Sequence, residues 1–141
     1  MKFSELDTAV QELIVNALDK HIAVTADILK QDRSLIPMLM IADSNKLISL
    51  QPKDGKTDVD KAYAVAIEML KKENFTYAIF SYSTRICTTP NDITDALKTC
   101  IIMSNGLEVS FFTPYKVKGL FKKTINIGET FLAELKEKVL D

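Results

Sequence analysis

One histidine, two cysteines and no tryptophan occur in 141 residues, and these shortages close off several chemistries. Cys87 and Cys100 are too few for the disulfide framework of a secreted mini-domain or for a four-ligand zinc site. No metal and no other cofactor is expected. Glycine and proline number four each and do not cluster, so the chain lacks the breakers of an interdomain linker. A single domain over residues 1–141 is expected. Neither sign of charge dominates: 18 basic side chains face 19 acidic ones, for a formal net charge of −1. Such a balance supplies no global drive toward nucleic acid or an anionic membrane. The longest strongly apolar run, residues 35–42, is far short of the roughly 20 residues that cross a bilayer. Residues 1–15 carry Glu5, Asp7 and Glu12 among their apolar positions, unlike the basic-then-apolar order of an export signal. A reducing, cytoplasmic location with free thiols and no membrane partner is the expectation.

What is present is a core. Hydrophobic residues make up 47% of the chain and charged residues 26%, a balance that folds rather than stays disordered. Leu6, Val10, Leu13, Ala17, Val24 and Ile28 recur at helical spacing, with Ile14, Leu18 and Ala26 widening the stripe, predicting a helix that starts near Ser4 and Asp7. It ends near Lys30, or breaks at the β-branched stretch 22–25. Pro37 forbids helix soon after. Residues 38–42 and 47–50 read as strands around the turn residues Asp43-Ser44-Asn45. A second helix is predicted over 58–72, with Val59, Ala62, Tyr63, Ala66, Ile67 and Leu70 facing inward and Asn74 as its stop. Strands follow at 75–86, 97–104 and 107–113, with Pro90-Asn91-Asp92 as a loop and Asn105-Gly106 as a two-residue hairpin turn. Residues 114–124 read as irregular and basic, 125–127 as a short edge strand, and 129–140 as a final helix. The fold class is therefore α+β: an antiparallel sheet of about five strands, order α-β-β-α-β-β-β-α, with helices packed on it.

The hairpin turn predicts a register. Cys100 falls opposite Phe111, Ile102 opposite Val109, Phe80 opposite Ile102 and Tyr82 opposite Cys100, which makes one apolar face. Ile79, Ile101 and Met103 make the other face apolar as well. Helices on both sides, or a second subunit on one, must cover the sheet. Cys87 falls opposite Asp95, away from Cys100, and no disulfide between them is expected.

Several constellations suggest chemistry. Gly55-Lys56-Thr57 stands between a strand and a helix, where a phosphate loop keeps its lysine and hydroxyl. However, Leu50 occupies the position of the first glycine, Pro52 removes an amide donor, and the sheet is antiparallel. A polar turn capped by Thr57 or Asp58 fits better. Cys87, Arg85 and Tyr82 could form a pocket with His21, giving a small enzyme or ligand-binding protein in which a cation activates a thiolate. A core histidine and an ordinary cysteine account for the same residues, with Cys100 as plain core. Asp92 and Asp95 read as an Asx turn rather than a carboxylate pair. Lys116, Lys118, Lys122 and Lys123, interleaved with Tyr115 and Phe121, could grip and stack on a single strand of nucleic acid. A solvated edge is favoured, because acidic residues elsewhere balance the cluster. The N-terminal helix mixes acids with its lysines and reads as a core or dimer helix rather than a membrane-surface one.

Pro37, Leu39 and Asp43, then Tyr77-Ala78, then Asp95-Ala96-Leu97 and Gly106 carry a resemblance to small uncharacterised bacterial α+β proteins. These are turns, strand ends and core positions, so the resemblance implies a fold and no activity. The element order is also similar to roadblock/LC7-type domains, which are dimeric regulatory scaffolds. The reading expected from all of this is a non-catalytic interaction or regulatory domain, bacterial and homodimeric, with an unidentified protein partner and no nucleic acid.

Overall fold

A computed structural model describes residues 1–42, 46–50 and 58–141. The chain opens with a 3₁₀ turn (Phe3–Glu5) in which the Glu5 carboxylate accepts from the Lys2 N–H. Ser4 is thus inside that turn, and Asp7 takes the N-cap position of α1 (Thr8–Asp32). The helix does not break at 22–25. Thr25 turns its hydroxyl back onto the His21 carbonyl at 2.8 Å, and both side chains are buried, so packing outweighs the β-branched penalty. Ile14, Ala17, Leu18, His21, Thr25 and Leu29 form its buried stripe. Arg33, left-handed at φ 64°, ends it by donating its N–H to Leu29 O.

Strands β1 (Met38–Ile41) and β2 (Lys46–Ser49) pair antiparallel; the turn residues 43–45 lie outside the described residues. So does segment 51–57, which contains Gly55-Lys56-Thr57. Helix α2 (Val59–Leu70) begins at Asp58, whose side chain accepts from Lys61 N at 3.1 Å. Ala62 and Ala66 let it lie close on the sheet.

The remaining strands are β3 (Tyr77–Thr89), β4 (Asp92–Met103), β5 (Glu108–Lys118), β6 (Thr124–Ile127) and β7 (Phe131–Lys136). All pairings are antiparallel, in the order β2-β1-β3-β4-β5-β6, with β7 also on β5. β6 holds the Tyr115–Lys118 half of the outer side of β5, and β7 holds the Glu108–Phe112 half. Gly128 donates to Pro114 O between them, so the two act as one kinked edge strand.

Several expectations are corrected, beginning with the strand count: among the described residues the sheet has seven strands where about five were expected. β4 starts at Asp92, not 97, which places Asp92 and Asp95 in a strand. β5 runs on to Lys118, where irregular chain was expected. Residues 129–140 contain β7 instead of a helix, although Ala, Leu, Glu and Lys favour helix there. The open edge of β5 offers a full ladder, Phe131 stacks on Phe112 at 5.7 Å, and Leu135 joins the core, so tertiary contacts override propensity. Finally, the register of β5 is shifted by one. Gly106, at φ 90°, follows a turn closed by Gly106 N to Met103 O, and Met103 N bonds Leu107 O, so the loop has one residue more than a two-residue turn. Cys100 therefore faces Ser110, Ile101 faces Val109 and Ile102 faces Glu108. That single step exchanges the two faces of β5. The β3–β4 register also departs from expectation, by two residues, because the turn is not centred on Asn91. Phe80 pairs with Cys100 instead of Ile102, Tyr82 with Lys98 instead of Cys100, and Cys87 with Ile93 instead of Asp95. A two-residue step leaves each side chain on its expected face.

Helices cover both apolar faces. α1 lies over Ile79, Ile101, Val109 and Phe111, and α2 over Ala78, Phe80, Cys100 and Ile102. The two-faced sheet therefore no longer requires a second subunit.

Candidate functional site

α2 is shorter than the sheet is wide, and its cover ends at one row of side chains. Tyr82, Lys98, Phe112 and Phe131 stand side by side on β3, β4, β5 and β7. Lys98 Nζ lies 5.5 Å from the Phe112 ring centre. Beyond the row, Ile86, Cys87, Thr88, Phe112 and Phe131 line an open hollow of ≈ 550 Å³. On the helix side, Tyr63 of α2 donates its hydroxyl to Oε1 of the buried Glu108 at 2.5 Å, and Lys136 Nζ lies 5.6 Å from the Tyr63 ring centre.

The electrostatics here are those of burial. Desolvation pushes the Cys100 thiol and the Tyr82 hydroxyl up to about 12 each. It raises Tyr63 well above the ordinary phenol range, with the Glu108 hydrogen bond adding to the effect. Each group is held neutral at neutral pH. A catalytic acid or nucleophile needs the opposite, a charge partner that brings its pKa toward 7.

His21 belongs to the other face. Its Nε2 meets Ser81 Oγ at 2.8 Å, in a polar layer formed by Thr25, Ser81, Ser83, Thr99 and Thr113 between two apolar clusters. Within that layer Nδ1 of His21 and Oγ1 of Thr99 are buried without a partner. Burial lowers the His21 pKa from 6.5 to about 4. Tyr115 donates to Arg33 O and shares a 3.0 Å bond with Ser83 Oγ beside it.

The structure does not bring the sequence candidates together. His21 touches Ser81, whereas Cys87 is six residues further along β3, about 20 Å away. Tyr82, adjacent to Ser81, points to the opposite face. Arg85 pairs with Asp95 at 3.5 Å, largely in solvent, and lines a different hollow with Ile93, Thr94 and Tyr115. Cys87 is exposed, Cys100 is buried, and both are free. Asp92 accepts from the Thr88 hydroxyl at 2.9 Å across the β3–β4 turn.

The basic stretch forms the β5–β6 hairpin. Tyr115 is buried, so of the interleaved aromatics only Phe121 is presented outward. Leu120 and Phe121 at the tip are 84% and 101% exposed. Gly119, at φ 99°, makes the bend; a Cβ there would lie 2.3 Å from Lys122 O. Arg33 donates to Val117 O and Gly119 O, and Lys123 donates to Gln31 O at 2.6 Å, so the C-terminal end of α1 braces the tip.

Two surface features escaped the sequence: the Tyr82–Lys98–Phe112–Phe131 row, which depends on cross-strand register, and the exposed β6–β7 edge, where a helix was expected. Comparison with protein-family models, curated proteins and solved structures gives no match.

No described helix is long and apolar enough to cross a membrane. Among the described residues no group of three or more His, Cys, Asp or Glu is placed to hold a metal ion.

Proposed function

We propose that this chain is a non-catalytic interaction or regulatory domain that works as a homodimer, pairing two copies through the β6–β7 edge. One observation carries the reading. Ile127, Phe131 and Leu132, between 40% and 46% exposed, lie along a strand pair whose outer side meets no other strand among the described residues. A sheet edge that combines exposed apolar side chains with free backbone donors and acceptors is a template for pairing with another strand. A two-fold antiparallel pairing of this edge with its own copy consumes it in a closed contact. The two free thiols fit a reducing cytoplasm.

Light scattering at micromolar concentration is expected to give twice the 15.8 kDa chain mass, and a Phe131→Ser, Leu132→Lys variant is expected to give the single-chain mass with unchanged circular dichroism. A wild-type chain at 15.8 kDa removes the dimer. A second reading rests on the hollow by Cys87, whose aromatic and aliphatic lining and volume of ≈ 550 Å³ suit a small apolar ligand. It predicts that such a ligand slows labelling of Cys87; unchanged labelling rates would remove that reading.

A further inference from the structure

We infer that the β5–β6 hairpin tip is a docking element for an anionic lipid bilayer, with Leu120 and Phe121 entering the headgroup region and Lys116, Lys118 and Lys122 meeting the lipid phosphates. Three observations meet at this tip. Its two bulky side chains are the most exposed large hydrophobics in the described chain. Adjacent positions with nothing to pack on gain nothing from being Leu and Phe in water. The charge along the hairpin itself has one sign: residues 109–128 contain four lysines and no acid. Arg33 adds a fifth cation, while Asp32 at the last position of α1 offsets one charge. The tip is also held in place. Arg33 and Lys123 tie both its limbs to the end of α1, and Gly119 sets a bend that a side chain would obstruct. The apolar pair is therefore presented with little ordering left to do on binding.

The geometry favours a bilayer over a nucleic acid. Single-strand binding stacks bases on successive aromatic rings, but Tyr115 is buried and Leu120 offers no ring. A bilayer uses both tip residues, since each buries apolar area below a plane of phosphates that the lysines reach along their own stems. The short apolar runs and the mixed charge of the N-terminal helix speak only against a spanning segment and a membrane-surface helix. A two-residue wedge on a basic hairpin is a different device, and it becomes visible only once the strands fix which side chains are exposed.

The chain has no tryptophan, so Phe121→Trp reports from the tip alone. Its emission is expected to shift to the blue with phosphatidylglycerol-containing vesicles and to stay unchanged with phosphatidylcholine. In vesicle sedimentation, Leu120→Ser with Phe121→Ser should lower partitioning by about tenfold per side chain. Lys116→Ala with Lys118→Ala should lower it about fivefold per lysine. These positions are exposed, so circular dichroism of each variant should match the wild type. Three results would overturn the inference: no blue shift on the anionic vesicles, binding indifferent to the Leu120 and Phe121 substitutions, or a single-stranded oligonucleotide that binds where vesicles do not.

Discussion

Acid titration tests the polar layer beneath α1. His21 is 3% exposed and bonded through Nε2 to Ser81, with Nδ1 unpartnered. Burial lowers its pKa from 6.5 to about 4. Between those values the unfolded chain binds a proton that the folded chain refuses, so stability rises with pH across the window. The contribution is fully present above about pH 6.5, declines as acid is added, and is gone below about pH 4, where both states are protonated. A difference of about 2.5 pH units at 1.36 kcal/mol per unit amounts to about 3 kcal/mol. About 1.4 kcal/mol of it is lost by pH 5.5 and about 2.5 kcal/mol by pH 4.5. Against a total stability of roughly 5–15 kcal/mol this is a large share. Urea unfolding of the wild type and of His21→Gln at pH 7.5, 5.5 and 4.5 isolates the effect. The variant keeps a polar group opposite Ser81 but cannot titrate. The wild-type advantage is expected to shrink by those amounts, and proton NMR of the only histidine should show no titration near pH 6.5. Parallel pH profiles with an ordinary imidazole titration would refute the reasoning.

Three further outcomes follow from particular contacts. Tyr63→Phe leaves the buried Glu108 without its hydroxyl partner and should cost about 1–3 kcal/mol in urea unfolding; a neutral result would mean that the carboxylate finds another donor. A thiol reagent should label Cys87 rapidly in the native protein and Cys100 only on unfolding, and two fast thiols would contradict the packing of Cys100 under α2. Gly119→Ala forces a Cβ toward Lys122 O at a left-handed position and should cost about 1–2 kcal/mol; an unchanged unfolding midpoint would show that the hairpin rearranges freely.

Local patterns made much of the fold legible. The capping of α2 by Asp58 and the existence of strands β1 to β5 follow from caps and turn residues that act over a few positions. The stripe of α1 does so only in part: Ile14, Ala17 and Leu18 are buried as their spacing predicts, whereas Val24 is 60% exposed and His21, Thr25 and Leu29 face inward instead. What the sequence hid depends on partners far along the chain. The residues of β7 favour helix on their own, and only the free edge of β5 makes them a strand. The one-residue step at Gly106 turns on whether an Asn-Gly pair closes a two-residue turn or the end of a longer one, and no neighbouring residue decides it. That step moved Glu108 onto the α2 face beside Tyr63, and Phe112 beside Lys98 and Phe131. The candidate surface was therefore invisible while its residues were known. His21 was legible as a buried histidine, but its distance from Cys87 was not, because helical periodicity says nothing about which strand a face will meet.

Amide hydrogen exchange along Thr124–Ile127 and Phe131–Lys136 tests the edge pairing most directly. In an edge strand every second amide points away from its neighbour and exchanges quickly. If two copies pair there, the outward amides at micromolar concentration should be as protected as those bonded to β5, and should lose that protection on dilution. A persistent two-residue alternation of fast and slow exchange, independent of concentration, would contradict the account.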